Sequence, residues 1–313
     1  MAGDPGVVDL AERVLRSACG ERVRRDVVLA PLTTFRIGGP AALYLEPESE
    51  ADLAAVADAI DETRLPYLVI GKGSNLLISD RGFGGIAVRL GRAFRWSEAT
   101  GEGLRAGASV PLPALAGVGL AKRLAGLEFG VAIPGSLGGA IRMNAGAHGA
   151  EMRDRVSSVE VFRLSTRSPE SIPAAGVGFG YRRTELPADA IVVGGTLRLV
   201  ATDPATIRST MDEAREWRRR TQPLGEPNCG SVFKNPPDER AARLIDAAGL
   251  KGTAIGGAMV STKHANFIVA APGATADDVL GLIRHVQDAV QHATGIRLET
   301  EVHVVGDLDP ASR

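Results

Sequence analysis

An α+β protein of two or three domains is what this sequence predicts, and three observations carry the prediction. A strand–helix–strand succession opens the chain, short strands broken by glycine and proline follow, and two helices with a last strand close it. The opening succession favours a small α/β or α+β unit over a helical bundle or a sandwich. Its helix covers residues 49–63, where Ser49 and Asp52 have capping-box spacing and Leu53, Val56, Ala57 and Ile60 share one face. A strand at 67–70 stops at Gly71, and another at 86–90 follows the RGFGG turn. Ahead of them, Asp4 and Pro5 can start a short helix with Val7, Leu10, Val14 and Leu15 on its apolar side.

Residues 91–200 have a different texture, with strands expected at 159–162 and 190–200. Between them the glycine-dense block 126–149 is too irregular for one long helix. Glycine there costs conformational entropy, so it marks either a packed turn or the close approach of a bound cofactor. A helix over 206–220 places Ile207, Met211, Ala214 and Trp217 on one side. It ends in Arg218, Arg219 and Arg220, which read as a solvated end favoured by the helix dipole. Pro223 and Pro227 stiffen the stretch 221–228 into a boundary. Beyond it, helices are expected at 239–248, stopped by Gly249, and from 275 to about 295, with Asp277 and Asp278 in the first turn. In the last strand, 298–305, Leu298, Thr300, Val302 and Val304 alternate with Glu299, Glu301, His303 and Val305. The second set reads as a wet face, either plain surface or the wall of a ligand cleft. Domains are expected at 1–90, 91–220 and 221–313.

Composition narrows the function. At 313 residues and 44% hydrophobic the chain can bury a core, and 23% charged residues nearly cancel to a net charge of −1. That balance argues against a nucleic-acid binder and leaves room for a local basic pocket. Lys72, Lys122, Lys234, Lys251 and Lys263 are the only lysines. The arginine excess fits compositional bias and equally fits a ligand rich in carboxylate or phosphate. Cys19 and Cys229 are far apart and read as free thiols in a reducing compartment. No signal-peptide pattern and no membrane-length apolar run is present, so a cytoplasmic protein is expected. No His, Cys, Asp and Glu cluster has zinc-site spacing and no G-x-S-x-G elbow occurs, so neither a metal centre nor a serine hydrolase is expected.

Three blocks carry chemistry. VIGKGSNLLISD at 69–80 places a glycine-rich turn after a strand, where Gly71 and Gly73 permit backbone approach and Ser74, Asn75 and nearby amides can bind a pyrophosphate. It matches neither the G-x-G-x-x-G fingerprint nor the P-loop. IPGSLGGAIRMNAGAHG at 133–149 offers a second anion-binding nest, and two such loops suit a cofactor with two separated polar portions. CGSVFKNP at 229–236 presents Ser231, either a loop cap or a reactive hydroxyl, beside Lys234, either a ligand anchor or half of a surface ion pair.

These blocks stand in one order with TTFRIGG at 33–39, GFGYR at 178–182, KHANF at 263–267 and LETEV at 298–302. Together they span nearly the whole chain, and they resemble the UDP-N-acetylenolpyruvoylglucosamine reductase family, in its shorter form without an insertion after Gly180. The resemblance implies an α+β fold. Residues 1–90 and 91–220 would form a two-part FAD-binding region of the vanillyl-alcohol-oxidase type, and 221–313 an α+β substrate-binding domain. It implies FAD as cofactor, NADPH as reducing cosubstrate, and reduction of UDP-N-acetylglucosamine enolpyruvate to UDP-N-acetylmuramate for bacterial peptidoglycan. It assigns the cofactor to Gly71, Gly73, Ser74, Asn75, Leu76, Pro134, Gly135, Ser136, Gly138, Gly139, Asn144 and Gly146, and catalysis to Arg182, Ser231 and Glu301. Glu301 matches the second glutamate of the terminal motif, with Glu299 close by. Lys72, His148, Cys229 and the RRT text after Tyr181 depart from the commonest family pattern. The alternatives are another FAD oxidoreductase of the same fold and an inactive nucleotide-sugar-binding regulator.

Overall fold

A computed structural model describes residues 4–308. Helix α1 (Pro5–Cys19) starts as expected, with the Asp4 side chain accepting from the Gly6 N–H and Pro5 in the first turn. Its buried face is Val8, Ala11, Leu15 and Cys19, rotated from the expected one because the helix packs on α2 (Glu50–Thr63). Ser49 caps α2 by accepting from the Asp52 N–H at 3.1 Å. The capping box is only half formed, since the Asp52 carboxylate turns inward to Arg22, the Glu48 N–H and Cys19.

The two helices cover a four-stranded sheet in the order Arg24–Val28, Pro40–Leu45, Phe83–Val88, Tyr67–Val69. Leu43, Leu45, Ile86 and Val88 point at the helices, while Tyr44 and Ala87 point the other way toward Ile70 and Ile78. The strand expected at 86–90 is Phe83–Val88 instead. Its parallel pairing with Pro40–Leu45 begins at Phe83, so ladder hydrogen bonds outweigh the turn propensity of the glycines.

A second, antiparallel sheet runs Ser168–Pro173, Val156–Arg163, Ala190–Arg198, Gly103–Gly107, Ser97–Thr100. Its inner face buries Leu104, Val159, Val161 and Leu197 under α3 (Leu112–Ala121), α4 (Leu137–Arg142) and α5 (Pro204–Thr221). Phe162, Leu164 and Ile191 reach out of this sheet into the core of the first unit. The glycine-dense block holds no long helix: a 3₁₀ turn (Glu128–Ala132), α4 and a two-stranded hairpin occupy it. Of the three arginines closing α5, Arg219 and Arg220 are exposed. Arg218 is not simply solvated, because its guanidinium donates to the Val131 carbonyl and to Gln222.

The C-terminal unit packs α6 (Ala241–Ala247) and α7 (Ala276–Thr294) on a small sheet of Ala254–Ile255, Ala258–Val260 and Ile268–Ala270. Thr275 and Asp278 form a complete capping box on α7, and Gly295, at φ +75°, ends it in the left-handed conformation. Phe35, Ile37 and Leu77 from the first unit enter this core. The last strand is shorter than expected: His303–Val305 pairs parallel to Leu76–Ile78, and ahead of it only Thr300 makes a single antiparallel bridge, to Phe233. Its alternation fails because the N–H groups of both Glu301 and Val302 turn to one acceptor, the Val232 carbonyl. Val304 is therefore exposed and Val302 buried.

Candidate active site

The two glycine-rich blocks meet face to face. A Cβ on Gly71 would stand 2.5 Å from the Ser136 Oγ, so a side chain there would force the Ser136 hydroxyl to turn from its place at the start of α4. Ser136 is buried and caps α4 through the Gly139 N–H at 3.5 Å. Between the blocks opens a cleft of about 410 Å³ whose wall includes Gly71, Lys72, Ser136, Gly138 and Gly139. Arg89, Arg92, Arg95 and Arg142 bring positive charge to the same wall. A bare backbone beside several guanidinium groups suits a pyrophosphate with flanking polar groups, so the residues present fit a dinucleotide such as FAD. The arginines escape a sequence reading centred on glycine, although RLGRAFR directly after a strand is the signal that could have found Arg89, Arg92 and Arg95, and Arg142 stands in the second glycine-rich block.

Other residues that the family resemblance assigns to the cofactor are not on the wall of this cleft. Gly73 (φ +60°) lets the loop pass the Leu32 carbonyl, which a Cβ would meet at 2.1 Å. Ser74 and Gly135 face one another, with a Cβ on Gly135 standing 3.8 Å from the Ser74 Oγ, and Leu76 pairs with His303. Pro134 is exposed at the head of its loop. Asn75 turns its amide away and donates to the Glu301 carbonyl at 2.9 Å. Asn144 is wholly buried with its amide engaged by protein groups, and Gly146 gives its carbonyl to Arg182 Nη2 at 3.1 Å.

Arg182 and Glu301 come from distant segments and meet, and the segment of Ser231 runs beside that of Glu301. Arg182 sits in a left-handed turn (φ +55°) and its Nε lies 3.0 Å from Glu301 Oε1, both side chains 18% exposed. Burial pushes the Glu301 carboxyl above its ordinary value of 4.5, against the pull of Arg182 and Lys234. Ser231 precedes Val232, whose carbonyl accepts from the Glu301 N–H at 2.7 Å, so its segment lies beside that of Glu301. The Ser231 hydroxyl makes no hydrogen bond with any described residue, which removes the loop-cap reading. Its loop is held otherwise. The Tyr181 hydroxyl accepts from the Asn235 N–H at 3.3 Å, tying it to the Arg182 turn. Lys234 pairs with Glu299, which leaves Glu301 to Arg182. Cys229 is buried, and burial together with the Glu301 charge pushes its thiol up, away from the thiolate form.

The firmest clamp on the loop is Asn266, which sequence reading did not single out although it stands in KHANF. Its Oδ1 accepts from the Phe233 N–H at 2.9 Å and its Nδ2 donates to the Phe233 carbonyl at 2.8 Å, so the buried amide imitates a neighbouring strand. Asn266→Ala strands both backbone groups at a cost of about 1–3 kcal/mol each. The urea midpoint of unfolding is expected to fall with its slope unchanged. An unchanged midpoint would show that Asn266 does not hold the loop.

Comparison with known proteins converges on one family. The description "UDP-N-acetylenolpyruvoylglucosamine reductase, C-terminal domain" matches residues 222–305, and "FAD binding domain" matches residues 41–165. A UDP-N-acetylenolpyruvoylglucosamine reductase from an Anaeromyxobacter species is 44% identical over 304 residues, covering 97% of this chain and 95% of the relative. One from Heliobacterium modesticaldum is 46% identical over 277 residues, 88% of each chain. The crystal structure of the Thermus caldophilus enzyme superposes with a TM-score of 0.80 at 38% identity, over 91% of this chain and 99% of that one. With identity of this order along almost its entire length, the chain belongs to the UDP-N-acetylenolpyruvoylglucosamine reductase family.

Proposed function

We propose that the protein reduces UDP-N-acetylglucosamine enolpyruvate to UDP-N-acetylmuramate with electrons from NADPH, as a cytoplasmic step toward peptidoglycan. The observation that carries the reading is the Arg182–Glu301 pair, with the segment of Ser231 joined to that of Glu301 through the Val232 carbonyl, and the glycine-lined, arginine-rich cleft supports a cofactor site in the same chain. Family membership supports FAD as the resident group, and no helix among the described residues is long and apolar enough to cross a membrane. Residues 1–90 and 91–220 are read as the two FAD-binding halves, meeting at the cleft, and 221–313 as the substrate domain. Separate cores under the three sheets support that division, although the strands Leu76–Ile78 and His303–Val305 interlock the first and last units.

Gly71, Ser136 and Gly139 would hold the cofactor backbone, with Arg89, Arg92, Arg95 and Arg142 as donors to its phosphates and ribityl oxygens. When bound, FAD supplies hydride storage between nicotinamide and the enolpyruvyl double bond. Around that transfer the chain's own residues do three things. Arg182 meets the enolate charge that develops on the substrate carboxylate side, with its guanidinium held in place before reaction. Glu301 fixes that guanidinium from behind. Ser231 gives its proton to the carbon next to the carboxylate and completes the lactyl ether.

The flavin is expected to be noncovalent. His148, the histidine of the second glycine-rich block, is absent from the cleft wall and stands edge-on to Trp217 at 5.1 Å, and Cys229 is buried. Acid precipitation should release all of the yellow colour. NADPH should bleach the intact protein under anaerobic conditions, and the enolpyruvyl nucleotide should restore the colour. Flavin retained on the denatured chain would overturn the first expectation, and failure of the nucleotide to reoxidise would overturn the proposed reaction.

A further inference from the structure

The turn that carries Arg182 is held from behind by a residue without solvent contact. Asn144 is 0% exposed, and every polar atom of its side chain is used. Its Nδ2 donates to Glu151 Oε2 and to the Gly180 carbonyl, both at 2.9 Å, and its Oδ1 accepts from the Arg153 N–H at 2.9 Å. The Gly180 carbonyl is the pivot of the Arg182 turn, because Gly180 and Arg183 exchange backbone hydrogen bonds of 3.0 and 3.3 Å around it. Both Asn144 (φ +41°) and Arg182 (φ +55°) adopt left-handed backbone, a conformation that costs free energy in a non-glycine residue and persists where surrounding contacts impose it. The hairpin that Asn144 opens then contributes the Gly146 carbonyl to Arg182 Nη2. A Cβ on Gly146 would stand 3.3 Å from Arg182 Nη1 and 2.7 Å from the Ala150 carbonyl oxygen, so hairpin and guanidinium are in close contact.

We infer that Asn144 is a positioning residue for Arg182, setting its guanidinium against Glu301 through the Gly180 carbonyl while its own side chain touches no ligand. The inference rests on the reading of Arg182 given above. Chemistry dictates an amide here. One nitrogen must donate to two acceptors while the oxygen receives an N–H. Aspartate has the same shape but would set a carboxylate oxygen against Glu151 and the Gly180 carbonyl, both acceptors.

Asn144→Asp and Asn144→Gly, in the FAD-loaded full-length protein, test it under anaerobic rapid mixing. Flavin reduction by NADPH and reoxidation by UDP-N-acetylglucosamine enolpyruvate are timed separately, each variant alone and combined with Arg182→Lys. The ratio of reoxidation to reduction rate is expected to fall on the order of 10–100-fold, as for a misplaced reacting group. In the Arg182→Lys background the same substitution should cost less than about threefold, because the guanidinium it orients is gone. Full multiplicative loss in that background would overturn the inference, as would equal loss in both half-reactions or a wild-type ratio in the single variants. If Arg182→Lys alone reoxidises at the wild-type rate, the reading of Arg182 has failed and the inference falls with it, an outcome the single variant identifies. Asn144→Gly suits the left-handed backbone and carries the test where the carboxylate prevents folding.

Discussion

Ser231→Ala is expected to leave the reduction of bound FAD by NADPH intact and to slow reoxidation by the enolpyruvyl nucleotide by roughly 10²–10⁴-fold, the usual contribution of a positioned general acid. The structure makes this a clean deletion. The hydroxyl has no partner among the described residues, so alanine removes a proton donor without releasing a cap. The loop stays where it is because backbone bonds from Glu301 and Lys234 and the Asn266 amide hold it. Protonation limited in this way lets solvent protons compete, so the isotope content and stereochemistry at the new C–H report the donor directly. Ser231→Cys should recover part of the rate, since a thiol restores a donor of different size and acidity. An alanine variant with wild-type reoxidation and stereochemistry would remove Ser231 from the chemistry. Loss of flavin from the variant would mark a loop defect, and the cysteine variant would then decide the role.

How much of this could be read from the sequence depended on whether the determinant was local. Helices α2, α5 and α7 lie within two residues of expectation because their signals are local: a cap and a period for α2, a period and the prolines beyond for α5, first-turn aspartates and Gly295 for α7. Strand ends were displaced wherever a distant partner set them, as at Phe83, where pairing with Pro40–Leu45 extends the strand back through the turn. The terminal strand failed for the same reason. Its period-two pattern was genuine, but Val232 gathers two successive N–H groups and breaks the alternation.

The site divides along the same line. Arg182, Ser231 and Glu301 were identified by family motifs, whereas the meeting of their segments depends on contacts more than a hundred residues apart in sequence for Asn75 and Glu301, and across the Arg182–Glu301 pair. Gly71 and Gly73 both stand where the chain packs closely on itself, Gly71 on Ser136 at the cleft wall and Gly73 on the Leu32 carbonyl, a difference their shared motif does not reveal. Asn75 and Asn144 show the limit most clearly. Each stands in a glycine-rich block, yet Asn75 gives its amide to the Glu301 carbonyl and Asn144 gives its own to the Gly180 carbonyl and to Glu151.

Arg182→Lys is expected to keep FAD bound and reducible while reoxidation by the nucleotide falls by roughly 10²–10³-fold, the scale of losing one preorganised donor at a developing negative charge. Charge is conserved in this substitution, so the loss measures geometry. The guanidinium spans Glu301 Oε1 from Nε at 3.0 Å and the Gly146 carbonyl from Nη2 at 3.1 Å, and it still has N–H groups to turn toward a substrate. An ammonium cannot serve those fixed directions at once. The pH profile supplies an independent check through Glu301. Its carboxyl is raised above 4.5 by burial, against Arg182 and Lys234, and only the ionised form holds the guanidinium. As pH falls through that raised pKa the carboxylate takes a proton and releases Arg182, so reoxidation should lose rate on the acid side while flavin reduction does not. In the lysine variant the carboxylate loses its close partner, its pKa rises further, and the acid limb should move to higher pH. Glu301→Gln should abolish the limb altogether. A limb that persists in Glu301→Gln, or a lysine variant with the wild-type rate and profile, would take the Arg182–Glu301 pair out of the reaction.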